Sequence, residues 1–402
     1  MQIAVAGAGI AGTTAAWQLQ LAGHQVTLIE QAEECRPVGA GIMLQPSGQA
    51  VLQQLGLLEE VTRNSSQIGR LHAKHLSGKT LVELQYRRLS PKACARGVRR
   101  SVIFDLLLRH CRTSGVHLKE GIRLVRTVQD QQRVTAVDDE GNRHGPFDLL
   151  IAADGSASVL RQSSGIPTRI HEYSDAALWV VGPWSGDETC LQQFVGRDGR
   201  LIGILPVGAG ECSFFWGLRK TEEQATREGG LAAWQRHVTD VCPAAEEIVA
   251  PLTSMDEVIF AAYRNARMNR VKDGRVVWIG DAAHATSPHL GQGLNLALQD
   301  AWALVQALKN HPDTDSALAN YAKDRSSTTK FYTRLTGWLT PYFQTSNRIL
   351  QFSRDLVLPI LPRLPVVGKQ MLLTMAGMKT GWLHDQRTAI ESALCQDSES
   401  GR

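Results

Sequence analysis

What this sequence lacks narrows its reading first. Its seven cysteines (35, 94, 111, 190, 212, 242 and 395) are odd in number and never form a C-x-x-C pair. That excludes a disulfide framework or a zinc site and predicts reduced thiols in a cytoplasmic setting. Long hydrophobic runs are missing as well, because the late apolar stretch 356–367 is cut by three prolines and Arg363 and cannot span a bilayer. No charged segment precedes the apolar start at residues 3–6, and glycines at 7, 9 and 12 interrupt it, so no secretory leader is expected. An excess of one charge is also absent: Lys plus Arg number 43 against 39 acids, and a net charge of +4 is too small to argue for nucleic acid. There is no internal repeat and no low-complexity segment.

What remains is ample material for folding. With 402 residues, 43% of them hydrophobic, the chain can build about two to four domains around real cores. It opens as a strand (2–6), a glycine-rich turn, a helix (12–22) and a second strand (25–30), one half of a βαβ unit. Helices at 47–55 and 57–63 lead to a hairpin over 68–85 that turns at Ser77-Gly78. The segment 86–100 then holds Arg87, Arg88, Lys92, Arg96, Arg99 and Arg100 without one acid. That is either a solvated, mobile loop or a lane for an anionic ligand. A helix at 101–114 and three short strands precede a buried strand at 148–153. Strands dominate 173–218, with an alternation at Leu201, Gly203 and Leu205 and an apolar run over 212–216. After a polar helical stretch (221–238), strands at 257–263 and 275–279 return the chain to strand-turn-helix logic. Helices are expected at 293–308, 317–350 and 365–378, with a polar end at 396–402 that would fray.

Three motifs carry chemistry. Gly7-Ala8-Gly9-Ile10-Ala11-Gly12 is a G-x-G-x-x-G directly after a strand and opening a helix. Gly7 permits the tight turn, Gly9 lets the backbone approach a pyrophosphate, Gly12 packs helix on strand, and the helix start offers N–H groups to phosphate. Glu30 ends the second strand, where an acid accepts hydrogen bonds from a ribose diol. The second motif runs Gly280-Asp281-Ala282-Ala283-His284 and then Pro288-His289-Leu290-Gly291-Gln292-Gly293-Leu294-Asn295. Asp281 at a strand end suits polyol hydroxyls, and residues 291–295 would expose N–H groups at a helix start. The third is Asp154-Gly155-Ser156-Ala157-Ser158-Val159-Leu160-Arg161, which alone is a common strand-to-helix turn with a capping Asp or Ser.

Taken together, in this order and spacing, the three motifs resemble the class A flavoprotein monooxygenases, the family of para-hydroxybenzoate, salicylate and ubiquinone-pathway hydroxylases. The resemblance covers about residues 1–340. Arg36-Pro-Val-Gly-Ala-Gly-Ile with Pro46, and Arg100 at the head of the helix after the basic stretch, add to it. The tail over 337–377 is similar, more loosely, to the quinone-pathway members. The family implies an α/β fold in which a Rossmann-like FAD-binding domain (1–67, 96–172 and 268–340) is interleaved with a β-sheet substrate domain (68–95 and 173–267), followed by a C-terminal helical segment (341–402). It implies cofactor contacts at Gly7, Gly9, Ala11 and Gly12 for the pyrophosphate and at Glu30 for the adenosine ribose. Arg36 and Arg100 would serve the ribityl or phosphate region, Gly41 would be a further cofactor contact, and Leu124 would meet the adenine edge through its backbone. Asp281 would hold the ribitol, and Pro288 with Gly291, Gln292, Gly293, Leu294 and Asn295 would face the flavin ring. Asp154 would serve both FAD and the groove where the reductant docks. Ser47, where Asn is usual, and Ile103, where Leu is usual, depart mildly from the pattern; His289 falls at a variable position near the flavin, which leaves the substrate open.

No side chain activates dioxygen and no metal-ligand spacing is present, so the oxygen chemistry would belong to FAD. In the family's cycle NAD(P)H reduces FAD, O2 adds to give a flavin hydroperoxide, and its distal oxygen passes to an aromatic or quinone-like ring. The missing second G-x-G-x-x-G agrees with a nicotinamide that docks transiently. The strands 201–205 and 212–216 would keep water out, with His289, Arg200, Phe214 and Trp216 as substrate-pocket candidates. Each has a plainer reading as a structural histidine, a turn arginine or core aromatics. A flavin oxidase or reductase, or a flavoprotein that sequesters a small molecule without turnover, stays open. A halogenase is disfavoured without W-x-W-x-I-P. The expected partner is a small aromatic or quinone-like substrate, with no nucleic acid; the protein would be a monomer or dimer. The tail reads as a packed helical cap, or alternatively as a surface meeting a membrane or an apolar substrate.

Overall fold

The computed structural model describes residues 1–37, 39–196, 198–344 and 347–395; the fraying expected at 396–402 lies outside them. A six-stranded sheet runs in the order Lys272–Asp273, Val276–Trp278, Leu149–Ala152, Gln2–Ala6, Gln25–Ile29, His117–Lys119, parallel except for its first, edge strand. Period-two alternation gives it two apolar faces. Ile3, Val5, Leu149, Ile151 and Val277 pack on the helices Ile10–Leu21, Arg100–Thr113 and Gly293–Asn310. Ala4, Ala6, Leu150, Ala152 and Trp278 pack under a three-stranded sheet through Val134 and Ala136. Register is the consequential feature: Ala6 pairs with Ala152, and Ala152 with Trp278. The carboxyl ends of three strands far apart in sequence therefore lie side by side, and each is followed at once by one of the motifs.

A seven-stranded sheet holds Ile259–Met268, Thr168–Pro183, Glu211–Arg219, Leu201–Gly208, Cys190–Val195, Arg70–His75 and Thr80–Gln85 in that order. Both of its faces are buried. Leu201, Leu205, Val207 and Phe215 turn to one core, while Ile202, Ile204, Phe214 and Trp216 turn to another, under Trp234 and Val238 of the helix Leu231–Val241. A small antiparallel sheet, Gly41–Leu44, Ala95–Arg99 and Ser65–Ile68, ties the two large sheets together. A Cβ on Gly97 would lie 1.9 Å from the Pro206 carbonyl oxygen, so only glycine permits that approach. The chain thus has the α/β architecture expected of it, with C-terminal helices. The strand Thr168–Pro183 runs across the boundary expected at 172/173.

Two helical expectations change. The helix expected at 317–350 is Thr314–Phe343 followed by Arg348–Val357. Asn347 starts the second by accepting from the Ile349 and Leu350 N–H groups, while the Gln344 side chain turns inward. The stretch expected at 221–238 breaks at Gly229-Gly230 into Glu223–Glu228 and Leu231–Val241, with Gly230 at φ 79°. Among the described residues no single helix is long and apolar enough to cross a membrane.

Candidate functional site

The three motifs meet at these strand ends, and the turns of the first two need glycine. Gly7 sits at φ 98°, where a Cβ would lie 2.5 Å from the Ala153 carbonyl oxygen, and a Cβ on Gly12 would lie 1.9 Å from that of Gly7. Gly280, at φ 57°, faces the Ala11 methyl. Arg161, 1% exposed, locks the second and third motifs together: its guanidinium donates to the carbonyl oxygens of Ala282 (2.8 Å), Asp281 (3.3 Å) and Ser156 (2.7 Å). Nothing in the sequence beyond its place at the end of the motif pointed to that role.

A cavity of about 360 Å³ opens at this junction, lined by Gly7, Gly9, Glu30, Leu124, Asp154 and their neighbours. The helix Ile10–Leu21 begins there with Gly9 as its cap, no side-chain cap and no acid in its first turn. Its first N–H groups therefore have no intrahelical acceptor. The Glu30 carboxylate accepts from the N–H groups of Ala8 (2.7 Å) and Ala32 (3.0 Å), which fixes its direction. Asp154 Oδ2 accepts from the Leu160 N–H at 3.1 Å, whereas Oδ1 is buried without a partner, and burial raises this carboxyl. An open helix start, an anchored acid and an orphaned carboxylate oxygen fit the ADP portion of FAD.

A second cavity, of about 260 Å³, lies between the start of the helix Gly293–Asn310 and the seven-stranded sheet. On one side are Gly41, Asp281, Pro288, Gly291, Gly293 and Leu294; opposite them stand Trp179, Leu201, Leu205, Phe215 and Tyr263. Asp281 is reached by water in this open space, yet the protein around it raises its carboxyl by desolvation, partly offset by the positive His284, Arg100 and Arg161. Trp179 and Phe215 pack at 5.0 Å between ring centroids, and a Cβ on Gly203 would lie 2.0 Å from the Phe215 ring, so the glycine leaves room for the aromatic wall.

His289 lines the same cavity. Its Nε2 lies 3.0 Å from Gln344 Oε1 and its Nδ1 3.0 Å from Ser287 Oγ, and Phe343 stacks on it. Desolvation pulls the imidazole down to about 4, against the Gln344 hydrogen bond, so it is neutral at pH 7. Beneath the second motif, fully buried Asp300 accepts from the Gly280 N–H (2.9 Å), His284 Nε2 (2.5 Å) and Arg325 Nε (2.7 Å). Burial alone would raise the Asp300 carboxyl; His284 and Arg325 instead bring it well below the usual range, and Asp300 raises His284 in return.

Several expected positions lie elsewhere. Phe214 and Trp216 point to the far face of the sheet, because residues one apart in a strand face opposite ways; Phe215 takes the place expected of them. Arg200 stacks on Trp216 at 4.5 Å, on that far side and away from the cavity. Arg36 is exposed and paired with Glu34 at 2.6 Å, outside both cavities. The Gln292 and Asn295 side chains turn into the protein: Gln292 Nε2 donates to the Met375 carbonyl (2.8 Å), and Asn295 Oδ1 accepts from the Gln45 N–H (2.8 Å). Arg100 lines neither cavity; its N–H donates to the Ala40 carbonyl and its charge lowers Asp281. Ser47 packs against Gly377, where a Cβ would lie 1.9 Å from Ser47 Oγ.

Comparisons with known proteins agree with this geometry. A family model described as FAD binding domain matches residues 1–336. The FAD-dependent urate hydroxylase of Klebsiella pneumoniae is 28% identical over 337 residues, 81% of this chain and 86% of that protein. The 6-methylpretetramide 4-monooxygenase of Streptomyces rimosus is 27% identical over 410 residues, 99% of this chain and 96% of its own. The solved structure of Klebsiella pneumoniae HpxO complexed with FAD and uric acid superposes with a TM-score of 0.81 at 22% identity, covering 94% of this chain and 97% of that one.

Proposed function

The chain belongs to the FAD binding domain family, and from that premise we propose an NAD(P)H-dependent monooxygenase that hydroxylates an aromatic or quinone-like small molecule in the cavity beside Asp281 and Phe215. The observation that carries this reading is one cavity with a polar glycine-rich wall on one side and an aromatic sheet face on the other. Bound FAD, reduced by NAD(P)H, would activate O2, of which one atom goes to the substrate and the other leaves as water. The residues of the chain do the placing. The helix start at Gly9 and Glu30 bind the ADP end, with Asp154 beside them. Asp281 accepts from ribityl hydroxyls, and the open N–H groups at Gly293 and Leu294 favour negative charge on the ring. Trp179, Leu201, Leu205 and Phe215 orient an aromatic substrate and exclude water. Neutral His289, with both ring nitrogens taken by Gln344 and Ser287, is a fixed part of the cavity wall beside it.

The strand registers support an interleaved division, read as 1–67, 96–172 and 268–340 against 68–95 and 173–267 with 341–402 as tail, except that 168–172 pair with 264–268 and so go with the seven-stranded sheet. Buried free thiols at Cys35, Cys94, Cys111, Cys190, Cys212 and Cys242 suit a reducing, cytoplasmic setting. The helix Arg348–Val357 exposes Ile349, Phe352 and Leu356 on one face, continued by Ile360, Leu364 and Val366, which favours peripheral contact with a lipid surface by a monomer. Vesicle co-sedimentation checks this; a dimer in solution that covers the stripe would overturn it.

The test of function is NAD(P)H consumption by FAD-loaded protein over a panel of phenols, anthranilates, quinolones and purines, with product mass read for one added oxygen atom. Peroxide release without oxygenated product would make it an oxidase. Binding without stimulated NAD(P)H consumption would make it a sequestering flavoprotein.

A further inference from the structure

The ring cavity has a second chamber behind it. Leu71, Gln193, His289, Leu290 and Met375 line both, so the two share one wall. The second chamber, about 290 Å³, is enclosed by the hairpin Arg70–Gln85 through Ala73, Val82 and Leu84 and by the C-terminal helices through Leu339, Leu358 and Met371. Among the described residues no carboxylate lines it. Its polar groups are largely engaged with one another: Lys379 Nζ donates to Gln370 Oε1 at 2.8 Å, and Thr374 Oγ1 donates to the Gln370 carbonyl at 2.8 Å.

Protein interiors pack nearly as densely as organic crystals, and ordered water needs two to four polar partners. A space this large with aliphatic walls offers water few partners and suits an apolar ligand. Its wall in common with the ring cavity says which ligand. We propose that the chamber receives an apolar extension carried by the substrate, an alkyl chain or fused rings, so that the substrate is an aromatic head bearing a lipophilic body. Met375, on the dividing wall, has the flexible side chain that such a passage needs. Trp382, stacked on exposed Trp338 at 5.4 Å, marks the outer margin. The proposal rests on the reading of the first cavity as the ring site.

The experiment titrates FAD-loaded protein with 4-n-alkylphenols from methyl to octyl, with binding read as perturbation of the flavin absorbance. Kd is expected to fall about fourfold per methylene until the chamber is full, then level off. Leu339→Trp, which fills the chamber from the long helix, is expected to flatten that slope while 4-methylphenol still binds within about twofold. Should Leu339→Trp fail to load FAD, Met371→Phe fills it from another wall. A flat or absent chain-length dependence in the parent protein overturns the proposal, as does an equal slope in parent and filled variants. Binding that follows the slope without any oxygenated product sinks the monooxygenase reading alone. Hydroxylation of short phenols with no chain-length preference sinks the chamber alone.

Discussion

The nucleotide cavity and the ring cavity are neighbours built by opposite means. Backbone makes the first: Gly7, Gly9 and Gly12 within six residues, an uncapped helix start, and acids at strand ends. Side chains make the aromatic wall of the second, drawn from residues as far apart as Leu71, Trp179, Phe215 and Met375, none of which forms a local pattern with the others. The backbone site admits no added carbon at Gly7 or Gly12, whereas side-chain sites tolerate exchange and can drift between substrates. Mutations at the two should therefore fail differently, the first by losing cofactor and fold together, the second by losing selectivity.

The largest effect is expected where the backbone site is braced. Arg325→Leu leaves Asp300 buried with His284 as its one charged partner, and removing one member of a buried ion pair costs about 3–5 kcal/mol. Thermal unfolding should show it, with FAD content falling in parallel. The pH dependence has a definite sign. Asp300, lowered in the fold, contributes stability above its ordinary range that is lost as pH falls through the folded value. His284, raised, contributes stability that is full below 6.5 and is lost as pH rises through its folded value. Arg325→Leu should blunt the acid limb. Unchanged stability in this variant would mean that the brace is ornamental and the contrast between the cavities too sharply drawn.

Gly12→Val forces methyl groups against the Gly7 carbonyl and should cost about 1–3 kcal/mol of overpacking, with most flavin lost on gel filtration. A yellow, stable Gly12→Val protein would break the claim that the turn admits no side chain at position 12.

Phe214 and Phe215 test the second half of the comparison with adjacent residues. Phe214→Ala empties the far core and should cost about 3 kcal/mol or more with KM unchanged in the surviving protein. Phe215→Ala should leave FAD content intact and raise KM about tenfold, as loss of one aromatic contact of about 1.4 kcal/mol would. Interchanged results would place the substrate on the other side of the sheet.

This pair also shows what was legible in the sequence. The three motifs announced the cradle because a tight turn, a helix start and a strand end each leave a local mark. The fold followed from the same marks, since motifs near 7, 154 and 281 must meet. Phe214 and Trp216 were misplaced because both faces of their sheet are buried, and an apolar run without polar alternation does not say which face is which. The Asp300 network was invisible because its members lie on separate helices and meet only through packing. The helix expected at 317–350 runs on in the sequence because Gln344 looks like any helical residue until His289 is there to bind it.

The smallest effect should come from His289, whose neutrality separates a polar wall group from a titrating catalyst. Its folded value of about 4 lies below 6.5, so the fold favours the neutral ring; stability is full above 6.5 and is lost as pH falls from there toward 4. His289→Asn should remove that loss, which a difference in melting temperature between parent and variant, measured from pH 7 to pH 4, would read. Turnover should change by only about threefold, with the same pH profile above pH 5.5, because no proton leaves or joins this ring in that range. A profile limb near neutrality that vanishes in His289→Asn would instead make the imidazole an acid or base. The ring cavity would then share with the nucleotide cavity a group that cannot be exchanged.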